Sequence, residues 1–174
     1  MARIDQTNYY LDIASTVAGR STCLRRCYGA ILVKHDEIIA TGYNGAPRGR
    51  KNCVDLSYCT REAMQIPSGE RYELCRSVHA EANCVISAAR REALDSTLYL
   101  ACLHPRDASL IPDSSPCSMC RRLIINAGVR KVVVRDTKTQ YRVFQVQDWV
   151  DGDDSLPAQM EQSSIFLCKT PNNP

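Results

Sequence analysis

The sequence predicts an α/β protein built around a mixed central sheet, and three observations carry that prediction. Two β-rich runs, residues 30–33 (Ala-Ile-Leu-Val) and 37–41 (Glu-Ile-Ile-Ala-Thr), are separated only by Lys34, His35 and Asp36, which reads as an antiparallel hairpin. Two further runs, residues 96–102 and 130–134, flank a stretch with apolar residues at helical spacing, and strands joined through a helix pair in parallel. Tyr10, Ala14, Val17 and Ala18 recur at helical spacing ahead of all four runs, so helices and strands alternate along the chain.

Taken in order, residues 7–18 form an amphipathic helix that covers one sheet face, with Gly19 as its stop. In the hairpin that follows, His35 is a solvated turn residue. The second strand runs into Gly42-Tyr43-Asn44-Gly45-Ala46-Pro47, whose residue types either leave peptide groups open to a ligand or simply turn the chain. Residues 46–77, with Pro47, Gly49, Pro67 and Gly69, have too little periodicity to pack well alone. Ala82, Val85, Ile86 and Ala89 then mark the core face of a second long helix, and residues 96–102 read as a buried strand. The segment 104–113 is turn-like at both ends; it forms a lid, a contact to a neighbouring subunit, or neither, and His104 within it is a solvated loop histidine. Leu123, Ile124 and Ala127 give a third helix stopped by Gly128. Past residue 136 the pattern weakens, with Tyr141, Phe144 and Trp149 expected to pack on the core and Pro171 to Pro174 expected to fray.

The chain has 174 residues and is 44% hydrophobic, which suits one domain spanning 1–174 with a sizeable core. A net charge of +3, spread along the chain, argues against general nucleic-acid affinity and fits a small anionic substrate. The start turns polar at once and no apolar run approaches the roughly 18 residues of a membrane span, so the expectation is a cytoplasmic protein with no membrane partner. Ten cysteines in such a compartment point to metal binding rather than to a disulfide framework.

The chemistry concentrates in two pieces, His79-Ala80-Glu81 and Pro116-Cys117-Ser118-Met119-Cys120, each set where a helix begins. One imidazole and two thiolates make three ligands of a tetrahedral zinc, leaving the fourth position open, as in catalytic sites. Glu81 then carries protons, because zinc brings the pKa of water towards neutrality and a carboxylate beside it can move the released proton. Either half alone is common; together they are the signature of zinc-dependent nucleobase deaminases. A zinc site that only holds the fold would want a fourth protein ligand and give Glu81 no task. A nucleic-acid-editing deaminase would share the motif but present aromatic and basic platforms, and no such cluster stands out. A second group, Cys23, Cys53, Cys59 and Cys75, has the composition of a closed structural zinc site around residues 46–77, or is four unconnected thiols. Cys27, Cys84, Cys102 and Cys168 have no partner pattern and read as core or inert thiols.

The order of the pieces resembles the deoxycytidylate (dCMP) deaminase family. Cys23-Leu-Arg25-x-x-x-Gly29-Ala30, Thr41-Gly-Tyr-Asn44-Gly45-Ala-Pro47, His79-Ala-Glu81-Ala-Asn83 and Pro116-Cys117-Ser-Met-Cys120 with Ile124 to Gly128 carry the resemblance, over residues 5–135. It implies a three-layer α/β/α cytidine deaminase-like fold and hydrolysis of dCMP to dUMP and ammonia, supplying dUMP for thymidylate synthesis. A deaminase of another cytosine-containing nucleotide is the alternative within the same chemistry. It further implies one catalytic zinc, a second structural zinc in some members, a homo-oligomer that is hexameric in well-known members, and response to dCTP and dTTP. For the substrate it implies that the Ala80 backbone and the Ser115 carbonyl orient the base and that Asn44 meets the sugar-phosphate side. The phosphate itself needs a cation, and Arg25 or Arg26, just ahead of Gly29, can supply a planar fork or be an ordinary surface arginine.

Overall fold

A computed structural model describes residues 3–152. In chain order its elements are α1 (Gln6–Ala18), β1 (Cys27–Lys34), β2 (Glu37–Tyr43), the short helices α2 (Cys53–Leu56) and α3 (Thr60–Ala63), and a 3₁₀ turn at Tyr72–Leu74. They continue with α4 (Ala80–Ser87), α5 (Arg90–Ala93), β3 (Thr97–Leu103), α6 (Ser118–Ala127), β4 (Lys131–Arg135), β5 (Tyr141–Gln145) and α7 (Val146–Asp151). Cys168 and residues 171–174 lie outside the described residues.

The five strands form one mixed sheet in the order β2-β1-β3-β4-β5, in which only β3 and β4 run parallel. The hairpin arises as expected: His35 and Asp36 sit at φ 50° and 65°, the left-handed backbone that matches strand twist in two-residue turns. Alternation along the strands divides the core into two layers. Ile31, Val33, Tyr99, Ala101 and Val133 pack under Tyr10, Leu11 and Ala14 of α1. Ala30, Leu32, Leu98, Leu100, Val132 and Val134 point the other way, against Ala80 and Cys84 of α4 and Ile124 and Ala127 of α6. The result is the three-layer α/β/α arrangement, with α4 and α6 side by side on one face.

Two helix faces differ from the periodicity reading. The buried side of α4 is Ala80, Glu81, Ala82 and Cys84, whereas Ile86 is 75% exposed and Ala89 caps α5 instead of extending α4. A hydrophobicity count rotates this helix because its inward residues include a carboxylate and a thiol. In α6 the buried line is Cys120, Ile124 and Ala127, and Leu123 faces outward. Gly128 stops α6 at φ 78°, as read from the sequence.

The height of α4 over the sheet is set by Gly42. A Cβ at this position would lie 2.3 Å from the Cys84 nitrogen and 2.4 Å from the Ala80 carbonyl oxygen, so β2 and α4 touch backbone to backbone. Gly42→Ala is therefore expected to lower stability by about 3 kcal/mol, the upper part of the usual overpacking range, and to shift the α4 N-terminus that carries His79 and Glu81. Chemical denaturation measures the first effect, and an unchanged midpoint would contradict it.

The 104–113 segment folds back on its own strand. Leu110 bridges Leu103, Ile111 N–H donates to the Cys102 carbonyl at 2.9 Å, and His104 N–H donates to the Ser109 carbonyl at 2.8 Å. His104 itself pairs with Asp107 at 3.4 Å and stays half in solvent, as expected of a loop histidine. Phe144 of β5 and Trp149 of α7 pack against the core as expected, whereas Tyr141 at the start of β5 is exposed; the core thiols Cys84 and Cys102 are pushed up to about 12 by burial, which leaves them unreactive. Among the described residues no helix is long and apolar enough to cross a membrane.

Candidate metal centre and substrate cavity

β2 and β3 point the same way in the sheet, so the helices that follow their carboxyl ends, α4 and α6, begin at the same edge. His79 is the N-cap of α4 and Cys117 the N-cap of α6, with Cys120 in the first turn. Sequence positions 38 and 41 apart are thereby brought together: His79 Nδ1 lies 3.4 Å from Cys117 Sγ and 3.5 Å from Cys120 Sγ. All three ligand atoms fall within 4.8 Å of one another, and among the described residues this is the one such group of metal-ligating side chains. Tetrahedral zinc with ordinary bond lengths to nitrogen and sulfur separates those ligand atoms by about 3.6 Å, so the three side chains fit that ion with little rearrangement.

Without a cation, local electrostatics favour the ligating form at Cys117 and the protonated forms at His79 and Cys120. The Cys117 thiol is drawn down to about 4, first by its hydrogen bond from Cys120 and then by His79, against the opposing effect of burial. Burial works to lower the His79 pKa, but Cys117, Cys75 and Glu81 raise it to about 10. Cys120 is held well above its ordinary value by Cys117 and by burial, so in the bare site two thiols and an imidazole share protons that a bound cation would displace. Both helix N-termini add positive potential that favours thiolate. Glu81 is 4% exposed, and burial pushes its carboxyl up, the direction that suits a group taking and giving protons near neutrality.

One cavity joins this centre to the rest of the predicted site. Its lining includes His79, Ala80, Glu81, Ser115 and Cys117, and also Arg25, Arg26 and Asn44. No residue of the 104–113 segment lines it, because that segment turns back along β3. The Arg25 Nε lies 3.6 Å from Glu62, while its Nη1 is buried without a hydrogen-bond partner. The Asn44 side chain is buried and largely engaged: Oδ1 accepts from Ser21 Oγ at 2.6 Å and from the Tyr28 N–H at 2.8 Å, and Nδ2 donates to the Arg26 carbonyl at 2.9 Å. This latch fixes the Arg26–Tyr28 backbone at the cavity wall.

Cys23, Cys53, Cys59 and Cys75 face the same cavity. They are near enough for Cys53 to feel the charge of the other three, yet no three of their sulfurs are gathered within 4.8 Å. Sequence reading missed the aromatic support of the centre. Tyr72 meets the His79 ring edge-on at 4.9 Å between centroids, and the buried Arg61 guanidinium lies 4.4 Å over Tyr72 while donating to the Pro67 and Glu70 carbonyls. A 3₁₀ turn and a four-residue helix supply these two side chains, and neither carries a periodic signal.

A profile of the cytidine and deoxycytidylate deaminase zinc-binding region matches residues 4–136. The chain belongs to the cytidine and deoxycytidylate deaminase family. Within that family it is 36% identical over 138 residues to the deoxycytidylate deaminase of Mycobacterium phage D29, an alignment covering 76% of this chain and 96% of the phage protein. It is 35% identical over 126 residues to the deoxycytidylate deaminase of Schizosaccharomyces pombe, covering 72% of this chain but only 35% of the yeast protein. The crystal structure of the dCMP deaminase from cyanophage S-TIM5 superposes with a TM-score of 0.53 at 26% identity, over 79% of this chain and 88% of that one. The matched region thus contains His79, Cys117, Cys120, Glu81 and the cavity arginines, while β5 and α7 lie beyond it.

Proposed function

We propose that this deaminase-family chain hydrolyses dCMP to dUMP and ammonia. The observation that carries the reading is the convergence, on one cavity, of the His79–Cys117–Cys120 group, a buried Glu81 and an inward arginine nitrogen with no protein partner. Zinc held by those three ligands would lower the pKa of water enough to supply a nucleophile at neutral pH. Glu81 takes a proton from the attacking water and delivers it to N3 as the C4–O bond forms. The same carboxylate then takes the remaining proton from the new C4 hydroxyl and hands it to the departing amine as the C4–N bond breaks, leaving the C4 carbonyl and ammonia. The Ala80 backbone and the Ser115 carbonyl orient the base by its amide edge, and Asn44 meets the sugar through the Nδ2–H that its latch leaves over. Arg25 Nη1, with Arg26 beside it, takes the 5′-phosphate.

Further parts of the proposal rest on single features. A second, structural zinc on Cys23, Cys53, Cys59 and Cys75 is supported by four thiols facing one cavity in a segment with only two short helices of its own. A homo-oligomer is supported by Ile86 on α4 and Met119 and Leu123 on α6, apolar side chains exposed on neighbouring helices. A cytoplasmic location is where thiolate ligands stay reduced.

The test is ammonia release from dCMP, CMP, deoxycytidine and dCTP. A charge-assisted hydrogen bond to the phosphate is worth about 1.5–3 kcal/mol, so dCMP is expected to exceed deoxycytidine in kcat/KM by at least tenfold on the order of one such bond. Arg25→Gln should raise KM for dCMP and narrow that gap with zinc content unchanged. Equal turnover of dCMP and deoxycytidine by the unaltered chain would refute the phosphate site.

A further inference from the structure

Two residues at the far side of the sheet reach the loop that delivers the metal ligands. Asp136 follows β4 and Arg142 lies in β5. Arg142 Nε and Nη2 bind the two carboxylate oxygens of Asp136, each at 2.7 Å, a bidentate fork. The pair does not close on itself. Asp136 Oδ1 also accepts the Asp113 N–H at 2.9 Å, and Arg142 Nη2 donates to the Ser114 carbonyl at 2.8 Å. The fork therefore grips the backbone of two adjacent loop residues, the Asp113 N–H by its carboxylate and the Ser114 carbonyl by its guanidinium.

Those residues stand immediately before Ser115, Pro116 and Cys117. Ser114 is 2% exposed and Pro116 is fully buried, so the loop enters the core between the fork and the first turn of α6. Its other end is held from within α6, where Arg121 Nε donates to the Pro116 carbonyl at 3.2 Å. Five residues are thus fixed at both ends, and they carry one cavity wall, Ser115, and one metal ligand, Cys117.

We propose that Asp136 and Arg142 are positioning residues for the metal centre, setting where Cys117 and the Ser115 carbonyl stand relative to His79. The inference rests on reading His79, Cys117 and Cys120 as zinc ligands. Arg142 lies outside the matched family region, on β5 at the edge of the sheet. Groups that orient metal ligands at one remove typically alter affinity or activity by about 10- to 100-fold when removed, and a displacement of about 1 Å at a reacting centre has a similar effect on rate.

The experiment uses the full chain loaded with zinc, and a parallel sample loaded with cobalt(II), in Arg142→Gln and Arg142→Lys. Lysine keeps the charge but cannot hold both Asp136 oxygens and the Ser114 carbonyl together. Zinc release to a chelator should quicken about tenfold or more in both variants, the thiolate-to-cobalt absorption should weaken or shift, and any loss of dCMP turnover should fall mainly on kcat. A pair that only stabilised the fold would move the melting temperature and leave the cobalt spectrum alone. Release rates within about twofold of the unaltered chain, together with an unchanged spectrum, would overturn the proposal; if the glutamine variant does not fold, the lysine variant decides. Zinc release and the spectrum are read without substrate, so absence of dCMP turnover in the unaltered chain would count against the proposed reaction and not against the clamp.

Discussion

Glu81→Gln is expected to retain zinc and fold and to lose at least about 10⁴-fold in turnover, since a positioned acid–base group contributes about 10² to 10⁴ per step and this one serves successive steps. The substitution is nearly isosteric at a side chain that is 4% exposed, so packing around α4 should survive. Its carboxyl is already pushed up by burial, and replacing it with a neutral amide adds no buried charge. Metal analysis and ammonia release on the same preparation separate the two properties. A variant that keeps zinc and works within tenfold of the parent would remove Glu81 from the mechanism.

The cysteines should divide by the metal they hold. Cys117→Ser removes a thiolate from the group around His79, and the expected result is loss of one zinc and of all measurable turnover with a small change in melting temperature, because β3, β4 and the core of α6 do not depend on that sulfur. Cys59→Ser should instead leave the His79 centre loaded and loosen residues 46–77, read as faster amide exchange and easier proteolysis there, because structural zinc contributes folding free energy directly. The unaltered chain should carry two zinc ions. One zinc per chain, in protein never exposed to chelator, would reduce the four thiols facing the cavity to unligated cysteines.

The specificity of the metal motif comes from combining two short signals, and both survive folding unchanged. His79 and Cys117 are where helices start because the chain there leaves extended backbone and enters apolar helical spacing, a local event. Strand runs, the hairpin turn at His35 and Asp36, and the stop at Gly128 are local in the same sense. The error at Ile86 shows the limit of that reading. Periodicity assigns the most apolar stripe to the core, but α4 turns Glu81 and Cys84 inward because its N-terminus faces a cavity and its backbone rests on Gly42.

What the sequence by itself determined, then, are the longer elements α1, β1 to β4, α4 and α6, which depend on neighbours within about four residues, together with the candidate ligand set His79, Cys117 and Cys120, read from residue type and spacing. Only the tertiary structure decided that Tyr72 and Arg61 stack behind His79, that Asn44 is taken up as a latch between Ser21, Arg26 and Tyr28, and that Arg142 on the far edge holds the loop ahead of Cys117. The Asn44 and Arg142 contacts join polar groups brought together by the sheet order β2-β1-β3-β4-β5, and a polar side chain has no period along the chain that announces its partner. Their positions follow from which strands lie side by side, a property of the folded chain as a whole.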